Sequence, residues 1–153
     1  MSRKVLLLIL GFFLVVGDQL LKFWVVDNIA IGDQLTFWPG IMDLTYLQNR
    51  GAAFSMLQGQ FWFFFLTTAL AMGVAGYYFF KARVNQWERQ VGLALIMAGG
   101  IGNFIDRASQ GFVVDMFQLT FIDFAVFNLA DTYLTVGVAI LILDLLREDE
   151  DGV

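Results

Sequence analysis

Four apolar runs divide the chain, at 5–26, 61–80, 91–107 and 127–146. Each approaches the length, about 20 residues, that a helix needs to cross about 30 Å of hydrocarbon. Hydrophobic residues make up 59% of the sequence and there is one proline, whereas soluble domains average about 45–50% apolar. The expected class is therefore an all-α membrane protein with four transmembrane helices, in a single domain over 1–153. Ser2-Arg3-Lys4 before the first run resembles the start of a secretory signal peptide. The apolar part of such a peptide is shorter, about 7–15 residues, and ends at a small-residue cleavage site. No such site is evident, so the run reads as an uncleaved first helix.

The segments between the runs are of two kinds. Residues 27–60 show no helical period. Leu35 and Phe37 alternate with polar or small neighbours, as do Leu44 and Tyr46, and Pro39-Gly40 lies between them. That pattern predicts two short strands joined by a turn at the membrane surface. Residues 108–126 read as a loop. Arg3, Lys4, Lys81, Arg83, Arg89 and Arg147 fall on one side of a four-span topology, and Arg50 and Arg107 on the other. The excess of basic residues predicts cytoplasmic termini, with 27–60 and 108–126 extracytoplasmic. In the third run Ala94, Ala98 and Gly102 form a small-residue ridge suited to close helix packing.

Against this apolar background the ionisable residues stand out. Asp18 and Lys22 lie one turn apart in the first run, hence on one face. Asp18 is about 20 Å from the Val5 end, in the outer third of the bilayer. The stretch Gly99–Asp131 carries Asp106, Arg107, Asp115, Asp123 and Asp131. A charge at a helix centre in lipid costs roughly 2.5–3.5 kcal/mol, so such groups persist where they are paired, hydrated or used. Asn128, Asp131, Thr132 and Thr135 form a polar stripe at the start of the fourth run. On this topology Asp18, Asn49, Asn103, Arg107, Asp115, Asn128 and Asp131 gather near one membrane–water boundary.

The residue inventory narrows the chemistry. The chain has no cysteine and no histidine, and its net charge is −5. There is thus no thiol nucleophile, no thiolate or imidazole metal site and no disulfide. The acidic balance argues against nucleic acid as a partner, and neither a metal nor a cofactor is expected. Two carboxylates sharing an apolar site resist ionising together; one keeps a proton and the other serves as base. Such a pair can activate water against a peptide carbonyl while protonating its oxygen. Spacing alone does not choose Asp115 over Asp106 or Asp123 as the partner of Asp131.

Five blocks of the chain resemble the lipoprotein signal peptidases (signal peptidase II) of bacteria. They are Asp18-Gln19 with Lys22; Asn49 with Gly51-Ala52-Ala53-Phe54; Gly99-Gly100 with Gly102-Asn103 and Asp106-Arg107; Gly111 with Val113-Val114-Asp115; and Phe127-Asn128 with Ala130-Asp131. The resemblance implies four membrane helices with a small β-cradle and a short surface helix on the extracytoplasmic side. It implies an aspartic endopeptidase that removes signal peptides from diacylglyceryl-modified prolipoproteins, cutting before the lipidated cysteine. Its catalytic pair matches Asp115 and Asp131. Asp18, Lys22, Asn49, Gly51, Asn103, Arg107, Asn128 and Ala130 match its substrate-binding and supporting positions. The implied partners are prolipoproteins, membrane lipids and globomycin-like inhibitors, with the chain taken as a monomer in the bacterial cytoplasmic membrane. Met116 departs from the family, which more often has an aromatic there, and is expected to alter the lining beside Asp115.

Two other classes fit parts of the pattern. A small ion or proton transporter would also hold intramembrane Asp and Lys, but its polar residues would run through the bilayer instead of clustering at one face. A non-catalytic scaffold would use the charges to glue helices together, and would lose stability when Asp115 is neutralised.

Overall fold

The computed structural model describes residues 2–51 and 61–151. Ala52-Ala53-Phe54 of the second block therefore lie outside the described residues. Helices α1 (Arg3–Asn28), α2 (Phe61–Lys81), α3 (Trp87–Gln110) and α4 (Leu129–Asp151) are joined by strands β1 (Gln34–Trp38), β2 (Met42–Asn49) and β3 (Val113–Leu119). All four helices are long and apolar enough to cross a membrane. The chain is a multi-pass membrane protein.

Helix α3 is the central post, packed against α1, α2 and α4. Its face toward α4 is cut from glycine. A Cβ on Gly92 would stand 2.9 Å from Gly137 O, and Gly99 lies directly against the Ala130 carbonyl. Backbones this close leave no room for a side chain, and van der Waals contact of that kind drives helix association in lipid. The predicted ridge splits between neighbours. Ala94 and Ala98 border a groove shared with α1, while Gly102 sits between Asp18 and Ala130. Gly92 and Gly99 make the tightest seam with α4.

The three strands form one antiparallel sheet in the order β1-β2-β3. The predicted pair, β1 and β2, turns through Pro39-Gly40. Ile41 N–H donates to Trp38 O at 2.9 Å and Gly40 has φ +74°, the left-handed position that a type II turn gives to glycine. The third strand is a correction: the segment read as a loop pairs in part as β3, with Val113 opposite Asn49 and Asp115 opposite Leu47. Asp115 is thus held on a strand. Successive side chains of a strand point to opposite faces. Val114 and Met116 enter a buried core with Val25, Ile29, Leu44 and Tyr46, while Val113 and Asp115 line a cavity. Met116 therefore packs the sheet onto α1 and does not line the space beside Asp115.

At the opposite end of the molecule the basic residues tie the helix ends together. Arg3 Nη1 donates to Val84 O at 2.8 Å, and Lys4 Nζ to Phe80 O at 2.6 Å. Arg147 pairs with Glu88 at 2.7 Å, and Arg89 with Asp144 at 2.7 Å.

Candidate active site

The start of α4 is a reciprocal cap. Asp131 N–H donates to Asn128 Oδ1 at 2.9 Å, and Asn128 N–H donates back to Asp131 Oδ2 at 3.2 Å. This is the geometry of a capping box, with Asn128 at the cap and Asp131 three residues on. The Ala130 N–H, another orphan donor of the first turn, goes to Asp18 Oδ1 at 3.0 Å. Asp131 thus lies in the first turn of α4, nearer the helix end than a start at residue 127 implied. The positive end of the helix attracts negative charge there.

Asp115 meets Asp131 through amides. Asn128 Nδ2 donates to Asp115 Oδ1 at 2.7 Å, and Asn49 Nδ2 to Asp115 Oδ2 at 2.9 Å. Asn103 Nδ2 donates to Asp131 Oδ1 at 2.7 Å. Asn49 reaches Asp115 because the β2–β3 register slips by one residue between Leu44 and Leu47. A one-residue slip turns side chains to the other face. Without it Asn49 would point away from Asp115. Burial pushes the Asp115 carboxyl up to about 7, and the nearby Asp131 charge pushes the same way; the Asn49 and Asn128 hydrogen bonds oppose both.

Beneath the amides lies a buried charge cluster. Lys22 Nζ is 2.9 Å from Asp18 Oδ2, 3.1 Å from Asp106 Oδ2 and 3.1 Å from Asn103 Oδ1. Gln19 Nε2 joins Asp18 Oδ2, Gly102 O and Asp106 Oδ1 at 3.2, 3.1 and 3.0 Å. Asp106 Oδ2 also accepts the Val114 N–H at 3.0 Å, which ties α3 to the strand one residue before Asp115. Asp106 and Gln19 are support residues that the sequence reading does not single out, although both belong to the five blocks. The signal was present: Asp106 lies three residues after Asn103 on α3, and Gln19 adjoins Asp18. Asp106 thus shares the Lys22 ammonium with Asp18.

The remaining predicted residues converge on the same place. Gly51 N–H donates to Asn49 Oδ1 at 2.9 Å, fixing that amide, and Gly51 O receives Arg107 Nη2 at 3.4 Å. The Arg107 guanidinium lies over the Phe64 ring at 5.0 Å. Asp123 does not join them; it is exposed between β3 and α4. A cavity of about 470 Å³ opens over both aspartates and is walled mainly by apolar residues, among them Leu119, Phe124, Phe127 and Val136. A second cavity of about 340 Å³ reaches Asn103, Arg107 and Asp131 from the side of α2.

Comparison with known proteins agrees with this geometry. A sequence model described as Signal peptidase (SPase) II matches residues 10–147. A lipoprotein signal peptidase of Streptococcus pyogenes serotype M5 (strain Manfredo) is 52% identical over 151 residues, covering 98% of this chain and 99% of the relative. Its counterpart from serotype M18 (strain MGAS8232) matches with the same identity and coverage. A bacterial membrane enzyme structure obtained by the in meso method at 2.3 Å superposes with a TM-score of 0.89 and 35% identity, covering 97% of this chain and 90% of that one. Another, at 1.9 Å, gives 0.84 and 36%, covering 94% and 92%.

Proposed function

The chain belongs to the signal peptidase II family, and from that premise we propose that Asp115 and Asp131 are the acid–base pair with which it cuts lipid-modified prolipoproteins. It is a protease, and removal of the signal peptide before the diacylglyceryl-cysteine is the reaction this site fits. One observation carries the assignment: two carboxylates from separate elements face one apolar cavity, held apart by Asn49, Asn103 and Asn128. Asp115, whose affinity for a proton is raised, takes the role of acid toward the carbonyl oxygen. Asp131, at the positive end of α4, takes the role of base toward water. As the tetrahedral intermediate collapses, the proton taken from water passes from Asp131 to the leaving amine, and the hydroxyl proton of the intermediate returns to Asp115.

The finer assignments follow the same reading. The basic end formed by Arg3, Lys4, Arg89 and Arg147 faces the cytoplasm of a bacterial cell, with both termini there. The sheet and the aspartates then lie at the extracytoplasmic face, where globomycin-like cyclic peptides would occupy the cavity. Single-chain elements supply the whole pair, so a monomer suffices.

With a lipid-modified prolipoprotein in a detergent–lipid mixture, the expected product begins at the modified cysteine, as read by mass spectrometry. Cleavage elsewhere, or equal turnover of the unmodified precursor, would refute the assignment. The rate should also fall as pH rises. The pair works singly protonated, and Asp115 loses its proton around its value of about 7. Above that the acid is gone. The two apparent constants belong to the pair, and the upper one should lie near neutrality. An activity still climbing at about pH 9 would exclude the shared proton.

A further inference from the structure

The membrane helices hold the threonines Thr67 and Thr68 on α2 and Thr132 and Thr135 on α4. All of them line one or other of the two cavities that meet at Asp131: Thr67 and Thr68 on the α2 side, Thr132 and Thr135 beneath the sheet. Threonines scattered to relieve helix packing would have no reason to converge on one residue. Their hydrogens are already committed in three cases. Thr135 Oγ1 donates to Asp131 O at 2.8 Å, Thr132 Oγ1 to Asn128 O at 3.1 Å, and Thr67 Oγ1 to Phe63 O at 2.7 Å. A hydroxyl that has given its hydrogen keeps its lone pairs, so each of these three threonines brings an oxygen with acceptor capacity to a cavity wall. Thr68 is half-buried on the α2 wall of its cavity.

A protease that takes its substrate from lipid into an apolar cavity at the membrane boundary creates a need for such groups. A helical signal peptide satisfies its own backbone, but the residues around the scissile bond must unwind for water and the aspartates to reach the carbonyl. In hydrocarbon each freed N–H or C=O costs several kcal/mol unless it finds a partner. The cavity walls are mainly apolar, and the amides around the aspartates are occupied by them. Apart from the aspartates, the asparagines and Arg107, the polar side chains lining the two cavities among the described residues are these four threonines.

We propose that Thr135 and Thr132 on one side of the aspartates, and Thr68 and Thr67 on the other, bind the unwound backbone of the peptide substrate, accepting its N–H groups and holding it extended across the pair. The inference rests on the peptidase reading and adds a binding role for residues which that reading leaves unused. Specificity follows: a precursor able to unwind on both sides of the cut gains these bonds, and one locked in helix does not.

The test is steady-state cleavage of a lipid-modified prolipoprotein by the full chain and by Thr135→Val, Thr68→Val, their double variant, and the matching Ser variants. Valine keeps the shape and removes the acceptor; serine keeps the acceptor. The double Val variant should raise KM about tenfold, the effect of one or two lost hydrogen bonds. Its kcat, pH profile and thermal midpoint should stay near wild type, and the Ser variants should behave like wild type. An unchanged KM in the double Val variant, or Ser variants as impaired as Val, overturns the inference while leaving the peptidase assignment intact. A wild-type chain that leaves the substrate uncut overturns both.

Discussion

Asp115→Asn and Asp131→Asn should each lower the cleavage rate by about 10³-fold or more, the scale of a lost general acid or base, while the protein still inserts and folds. An amide at either place neither gives nor takes the proton the pair must pass. The rival view, that these carboxylates only glue helices together, makes the opposite claim about folding, and the pH dependence of stability separates the two. The fold holds the Asp115 proton more tightly than an unfolded chain does, with a value of about 7 against 3.8. A group whose folded value is raised adds stability while protonated, and that stability is lost as pH rises from 3.8 toward 7. Ionised Asp115 is thus a burden on the fold at high pH. The substituted amide carries no charge, so the thermal midpoint of Asp115→Asn relative to wild type should improve as pH is raised through about 7 and then level off. A variant that unfolds increasingly as pH rises would show a stabilising charge and defeat the catalytic reading; so would near wild-type turnover.

Lys22→Met should produce the largest loss of stability. The ammonium is 3% exposed and stands between Asp18 and Asp106, themselves 1% and 4% exposed. Its removal leaves two carboxylates facing each other without a cation. Breaking a buried pair in this way costs about 3–5 kcal/mol, which for a domain of this size lowers the thermal midpoint by roughly 10 °C. Asp18→Asn added to Lys22→Met removes one stranded charge and should restore part of the loss. Asp106→Asn added to both should restore more, because Asp106 shares the ammonium and its remaining amide oxygen can still accept the Val114 N–H that the carboxylate now holds. A Lys22→Met protein with wild-type stability but no activity would place Lys22 on the substrate and not in the framework.

Local chemistry alone determined the membrane class, the four helices and the β1–β2 turn. Lipid admits few backbone solutions, so apolar length is decisive, and Pro39-Gly40 carries its own geometry. Asn128 and Asp131 read as a polar stripe inside a helix starting at residue 127, although their three-residue spacing is that of the cap the structure shows. The register slip that turns Asn49 toward Asp115 was not legible, since it arises from β2 and β3 sharing one ladder, and the two residues it joins stand 66 positions apart in the chain. Nor was β3 itself, whose Val113 and Val114 are buried on both faces and lack the alternation that marks a half-covered strand. Asp106 and Asp123 look alike on one side in sequence, each an acid that follows a Phe-Ile pair. One is buried against Lys22 and the other is exposed. Only the packing of α1 on α3 brings a cation to Asp106, and the burial of an acid follows from the partner it meets, not from the residues beside it in the chain.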